Sequence, residues 1–182
     1  PLRVEVFTLD PLGLNPDVLQ SQGWPLLDAE ERARHSRLVR SDDRHVYLAS
    51  HVMLRHTLGT HLNIAPASLR FAKGPWGRPT LATMPEPVAF NLSHTKGLCA
   101  CAITSGARIG IDVEKVDESF HTMFTSPDVL APDELDAIEL HPTQERAHAF
   151  FRYWTLKEAC TKAIGKGLLI APTDVRFTLI DE

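Results

Sequence analysis

Residues 88–113 restrict the fold more than any other stretch of this chain. Three β-prone apolar runs, 88–93, 98–104 and 108–113, are separated only by Thr95-Lys96-Gly97 and Ser105-Gly106-Ala107. Connections this short join neighbouring antiparallel strands, since parallel strands need a much longer crossover. Helical patterns flank this meander on both sides. The predicted class is therefore α+β, with helices packed on antiparallel sheet.

Residues 2–9 alternate and predict a first strand, with Leu2, Val4, Val6 and Thr8 on one face. A short helix is expected over 18–24, after the turn residues of 10–16. The helical pattern resumes over 27–62. Asp28 is placed to cap its first segment, with Glu30 and Glu31 where acids suit the helix dipole. Ser41, Asp42 and Asp43 open a second segment, which carries Val46, Leu48, Ala49, Val52, Met53, Leu54 and Leu58 and reaches Gly59 near its end. Residues 63–69 are expected as a loop and 69–72 as a short strand. Gly and Pro crowd 73–79, which predicts irregular backbone there, and 85–87 reads as another loop. Pro132 suits the first turn of a helix over 133–140. Thr143 is placed to cap the longest helix, 144–164, with Gly165 as its stop. A last strand is predicted over 175–180. The halves 1–106 and 107–182 thus each read as strand and helix followed by strands, the second expected to be incomplete at its C-terminus.

With 182 residues and 43% hydrophobic content, the chain can bury one medium core or two small ones. No apolar run approaches the roughly 20 residues that span a bilayer. Residues 1–7 carry an acid among apolar side chains and show no signal-peptide pattern; with no starting Met, the first residues are expected to be missing. Three cysteines without repeated spacing fit neither a disulfide framework nor a zinc site. Cys99 and Cys101 are expected as small buried hydrophobes, and the compartment as reducing cytoplasm. A net charge of −4 argues against a general nucleic-acid binder, so any anion site must be a local cluster. Neither nucleic acid nor membrane is an expected partner.

Three patterns could carry chemistry. In Ile109-Gly110-Ile111-Asp112-Val113-Glu114, a strand would place Asp112 and Glu114 on one face, about 7 Å apart. Two carboxylates so spaced can both reach a hard cation such as Mg²⁺, although a half-exposed strand with a wet face explains them as well. Trp154, Glu158 and Lys162 share one helix face, where Glu158 would supply a third carboxylate or simply pair with Lys162. In Phe90-Asn91-Leu92-Ser93-His94, Phe90 and Leu92 are expected to point inward and Asn91 and Ser93 outward. His94 then stands at a turn, placed to meet phosphate or merely to cap it. The basic run Arg32, Arg34, Arg37, Arg40 and Arg44, and the loop with Lys73 and Arg78, suit a ligand with several phosphates. A solvated helix face explains the run equally. There is no glycine-rich phosphate loop, no zinc-helix histidine pair and no G-x-S-x-G elbow.

In order, Gly77-Arg78-Pro79, Phe90-Asn91-Leu92-Ser93-His94, Ile109-Gly110-Ile111-Asp112-Val113-Glu114, Trp154-Thr155-Leu156-Lys157-Glu158-Ala159, Lys162 and Lys166-Gly167-Leu168 resemble the motif series of the 4′-phosphopantetheinyl transferase superfamily. The resemblance is to its larger, surfactin-synthetase-type branch and covers about residues 30–178. It implies a monomer of two pseudo-symmetric halves, each an antiparallel sheet packed with a long helix. It implies Mg²⁺ on Asp112, Glu114 and Glu158. It places coenzyme A against Arg34, Arg44, Arg78, Ser93, His94 and Lys162, with Lys73 and Lys157 as further basic contacts. Glu31 stands where the family has a Lys, so Arg32 or Arg37 is expected to substitute.

The implied reaction moves the 4′-phosphopantetheine arm of coenzyme A to a serine of an apo acyl, peptidyl or aryl carrier protein, releasing adenosine 3′,5′-bisphosphate. Glu158, Lys162, Asp112 and His94 are the expected catalytic set, with Glu158 or a metal-bound water as base. An acidic carrier is expected to meet Arg37 and Arg40, with its helix docking near Phe120 to Phe124. A catalytically silent coenzyme A-binding module and a metal-assisted phosphodiesterase remain as alternatives.

Overall fold

The computed structural model describes residues 2–74, 76–82, 88–118, 128–166 and 169–180. β1 (Val4–Leu9) leads into α1 (Pro16–Gly23), α2 (Ala29–Arg37) and α3 (Ser41–Leu62). β2 (Phe71–Lys73) and β3 (Pro79–Leu81) form a hairpin, followed by β4 (Val88–Thr95) and β5 (Leu98–Ser105). α4 (Pro132–Glu139) and α5 (Arg146–Ile164) belong to the second half. The expected α+β class with antiparallel sheets holds.

β5 is the centre of a three-stranded antiparallel sheet ordered β1-β5-β4. Its run from Cys99 to Thr104 is buried on both faces. Cys99 and Cys101 are free thiols, and burial pushes them up to about 11 and about 12, Asp10 adding to the shift on Cys99. They act as small hydrophobes, as their alternation predicted. α3 covers one face of the sheet, where Leu54 and Leu58 pack with Leu69, Phe90, Cys101 and Ile103. A second cluster, centred on Phe150, Tyr153 and Ile138, holds α4 against α5.

Four expectations are corrected. The Gly- and Pro-rich tract is not wholly irregular: β2 and β3 pair across it, and Gly77 takes φ +81 to make the turn. Phe71–Lys73, rather than 69–72, supplies the first of those strands. Residues 108–113 form no strand. Their backbone is held by side chains, with Ile111 N donating to Asn91 Oδ1 at 2.9 Å and Ile109 O accepting from Arg78 at 2.7 Å. The 175–180 segment is likewise held by side chains, Phe177 N donating to Glu134 Oε1 at 3.0 Å. Among the described residues the second half therefore contributes helices and extended chain but no strand.

Residues 108–113 lie hard against α5, and Gly110 makes this possible. A Cβ there would fall 1.9 Å from Ala159 O, a contact no side chain tolerates. The same approach buries Asn91 and Ser93, which were expected to face solvent. The face of β4 opposite α3 is thus the seam between the halves. The expected docking segment from Phe120 to Phe124 lies outside the described residues.

Candidate functional site

The carboxylate cluster is assembled at that seam. Gly110 lets the chain run beside α5, and the residues after it project towards the helix. Asp112, with its side chain 4% exposed, has Oδ1 2.5 Å from Lys162 Nζ. The same Oδ1 accepts from Ser93 Oγ at 2.9 Å, and Lys162 Nζ also reaches Ser93 Oγ at 3.0 Å. β4 and α5 thus converge on one oxygen. The other, Oδ2, is buried and has no hydrogen-bond partner among the described residues. A buried carboxylate oxygen without a donor is costly and calls for a cation or a donor from outside.

Glu114 and Glu158 stand around it. Partial burial raises the carboxyl of Glu114, the charge of Asp112 adds to this, and Trp154 and Lys162 oppose it. Glu158 is raised by burial, then by Asp112 and Glu114, against Lys162. Trp154 Nε1 lies 3.4 Å from Glu114 Oε1, which orients that side chain from the same helix face as Glu158. Among the described residues no three such side chains are placed closely enough to hold a metal ion together. The unpartnered Oδ2 of Asp112, with the carboxylates of Glu114 and Glu158 nearby, offers the hard oxygen chemistry that suits a divalent cation of the Mg²⁺ type.

A cleft of about 670 Å³ opens beside this cluster between α2, α3, the β2–β3 hairpin and β4. His94 connects the two. It lines the cleft, and its imidazole is lowered first by burial and then by the charges of His51, Lys162 and Arg34. Arg34, Arg40 and Lys73 also line the cleft, Lys73 paired with Glu30.

The expected basic contacts divide in an instructive way. Arg44 is exposed beside His35 and is not among the cleft residues. Arg78 is a staple. Its Nη1 donates to Lys162 O and Ala163 O at 2.7 Å each, and its Nη2 donates to Ile109 O at 2.7 Å. It closes the C-terminal end of α5 and ties it to the 108–113 segment, so its donors are committed inside the fold. Lys157 is fully buried and faces away from the cleft. Its Nζ lies 2.7 Å from Glu134 Oε2 and donates to Pro172 O at 2.9 Å and to Val175 O. In this fold both side chains spend these donors on the protein itself, where the resemblance implied coenzyme contacts. Neither expected substitute at Glu31 reaches the cleft. Arg32 lies over the Trp24 ring and bonds Pro25 O, and Arg37 is exposed elsewhere.

Sequence reasoning missed a buried network behind the cleft. Arg55 is 0% exposed and gives Nε and Nη2 to Glu31 Oε2 at 2.9 and 2.6 Å. It also reaches Asp28 Oδ2 at 3.1 Å and the carbonyls of Pro66 and Leu69. Glu31 completes a capping box with Asp28 and accepts His51 Nδ1 at 2.8 Å. Burial raises Glu31, but hydrogen bonds from His51 and Arg55 outweigh it and hold its carboxyl below the usual range. The available signal was an arginine set among Leu54 and Leu58 on the apolar face of a helix.

Comparison with known proteins fits this geometry. Residues 20–105 match the family model described as 4′-phosphopantetheinyl transferase, N-terminal, and residues 108–182 match that of the 4′-phosphopantetheinyl transferase superfamily. A phosphopantetheinyl transferase from a Thraustochytrium species is 32% identical over 199 residues, covering 100% of this chain and 68% of its own. The 4′-phosphopantetheinyl transferase HetI of a Nostoc species is 32% identical over 144 residues, covering 78% of this chain and 61% of its own. The 4′-phosphopantetheinyl transferase Sfp of Bacillus subtilis is 28% identical over 149 residues, covering 78% and 62%. The chain belongs to the 4′-phosphopantetheinyl transferase superfamily, within its larger, Sfp-like branch. It spans about three fifths of the length of the HetI and Sfp relatives.

Proposed function

We propose that this chain transfers the 4′-phosphopantetheine arm of coenzyme A to a serine of an apo carrier protein. The observation that carries the proposal is the buried Oδ2 of Asp112, unpartnered among the described residues, beside Glu114, Glu158, Lys162 and Ser93, whose chain neighbour His94 lines a cleft that also holds Arg34, Arg40 and Lys73. Asp112, Glu114 and Glu158 would hold Mg²⁺, which when bound offsets charge on the pyrophosphate. Arg34, Lys73 and His94 would receive the coenzyme's phosphates along the cleft. Lys162 is tied to Asp112 and Ser93, so it can turn one donor to a phosphate oxygen while keeping the others.

The serine hydroxyl of the carrier attacks the β-phosphorus, and adenosine 3′,5′-bisphosphate leaves. Glu158 is the proposed base, because a carboxyl raised by burial and neighbouring acids takes a hydroxyl proton more readily. Among the described residues no helix is long and apolar enough to cross a membrane. A carrier protein and coenzyme A are the proposed partners, the chain acting as a monomer in the cytoplasm.

The test is mass spectrometry of apo carrier proteins incubated with this chain, coenzyme A and Mg²⁺. A gain of one phosphopantetheine on the carrier, abolished by EDTA, is expected. Coenzyme A bound without transfer to any of several carriers would leave a silent binder. Coenzyme A hydrolysed with no carrier present would indicate a phosphodiesterase.

A further inference from the structure

One histidine in the cleft has no part in the chemistry above. His51 lies one turn before Arg55 on α3, so both side chains meet Glu31 of α2. Its Nδ1 is 2.8 Å from Glu31 Oε1, and its ring stacks on Tyr47 with centroids 4.0 Å apart. These contacts fix ring and tautomer together. An ionised carboxylate only accepts, so the Nδ1 proton is the one that points at Glu31. Glu31 is itself held, because its Oε2 accepts from Arg55 and from Asp28 N. The imidazole is left with Nε2, which has no hydrogen-bond partner among the described residues. The side chain is 18% exposed and lines the cleft.

The cleft it faces carries Arg34, Arg40, Lys73, Lys96 and His94 together with the acids Asp28, Glu30, Glu31, Asp42 and Asp43. The charges of Lys162 and Arg34 act on His94, so basic groups from α5 and α2 lie within electrostatic reach of the β4 end of the cleft. Most of the acids meet a base: Asp42 lies 3.7 Å from Lys96, and Asp43 is exposed. Glu31 and Asp28 meet Arg55, Glu30 meets Lys73, and Asp112 meets Lys162. Tyr47 is pushed up to about 12 by burial and by Glu31, so it adds no charge. Arg34 and Arg40 line the cleft without a carboxylate partner among the described residues, so an anion entering there meets uncompensated positive charge.

We propose that His51 is a further phosphate-binding residue, oriented by Glu31 and Tyr47, whose Nε2 takes up a proton as it donates to a phosphate oxygen. The proton comes from solvent and returns there on release, and no bond to phosphorus changes at this residue. Glu31, an acid in a cleft for phosphates, then has a reason to be there: it carries the imidazole that supplies the donor. The inference rests on the cleft as a coenzyme A site, yet requires only a ligand with phosphate oxygens.

The experiment is calorimetry of the full chain with pyrophosphate and, separately, coenzyme A. Each is run near neutral pH in two buffers of different ionisation enthalpy, for wild type and His51→Gln. Wild type should take up more protons than His51→Gln with either ligand, and the variant should bind about tenfold more weakly or worse. Equal affinity and equal proton uptake, even with a lowered melting temperature, would make His51 only a structural partner of Glu31 and overturn the proposal. Uptake with pyrophosphate but no binding of coenzyme A would sustain the proposal and remove the coenzyme reading. Binding of neither ligand would overturn both. Nitrogen-15 NMR of the wild type needs no variant: Nε2 of His51 should move to an imidazolium shift on adding pyrophosphate, and an unmoved resonance would refute the role.

Discussion

Arg55 and Asp112 are both buried charges near one cleft, and their surroundings differ. Arg55 is met by two carboxylates and two carbonyls, so its guanidinium is largely satisfied within the fold. Asp112 is met on one oxygen by Lys162 and Ser93 and on the other by no partner among the described residues. The first cluster joins α2 to α3 and needs no visitor. The second holds three carboxylates against one ammonium, and the imbalance raises both Glu114 and Glu158. A closed network is what stability selects, whereas an open one has to be explained by a ligand. The two lysines of α5 repeat the contrast. Lys157 is enclosed with Glu134, and Lys162, five positions later, is 29% exposed at the open cluster.

Substitutions should separate the two kinds of cluster. Arg55→Ala leaves Glu31 buried without its main partner, so unfolding experiments should show a loss of about 3–5 kcal/mol. Thermal unfolding would register this as a drop on the order of 10 °C. A loss under about 1 kcal/mol would mean the network is not closed in solution. Lys157→Ala should cost a comparable amount, about 3 kcal/mol, by stranding Glu134. Lys162→Ala also strands a buried carboxylate, Asp112, but unlike Lys157→Ala it should depress carrier modification by the protein that stays folded, and reversed activity outcomes for the two lysines would undo the distinction.

Asp112→Ala removes a ligand without stranding a charge that lacks other neighbours. Transfer should fall at least about tenfold while stability changes by about 1 kcal/mol or less. The smallest effect is a pH slope. Glu31 is held below the usual carboxylate range, so its stabilising contribution is full above that range and fades as pH falls through its lowered value. Acid titration of unfolding free energy should be shallower in Glu31→Gln than in wild type. Parallel curves would show that Glu31 is not held low.

Much of the fold was legible because its signals are local. The tight turn before Leu98, the Asp28 cap and Gly165 each act within a few residues, and the elements form where those signals stand. The third strand was misjudged because Ile109, Ile111 and Val113 alternate like a strand. What decides the backbone there is Asn91 and Arg78, far away in sequence. The carboxylates could be read as an ordered set of acids, but their meeting depends on Gly110 lying on Ala159. Lys157 and Arg78 were misassigned for one reason. A basic residue in a motif looks alike whether its charge faces a ligand or a carbonyl, and only packing tells them apart. His51 and Arg55 were passed over because a helix pattern records apolar spacing and not the acid on the next helix.

The most direct test of the open cluster is Mn²⁺ binding followed by electron paramagnetic resonance, with coenzyme A present, in wild type and Asp112→Ala. One bound Mn²⁺ that Mg²⁺ displaces and the substitution removes is the expected result. Binding that survives the loss of Asp112, or no binding in the wild type, would contradict the assignment of these carboxylates to a metal.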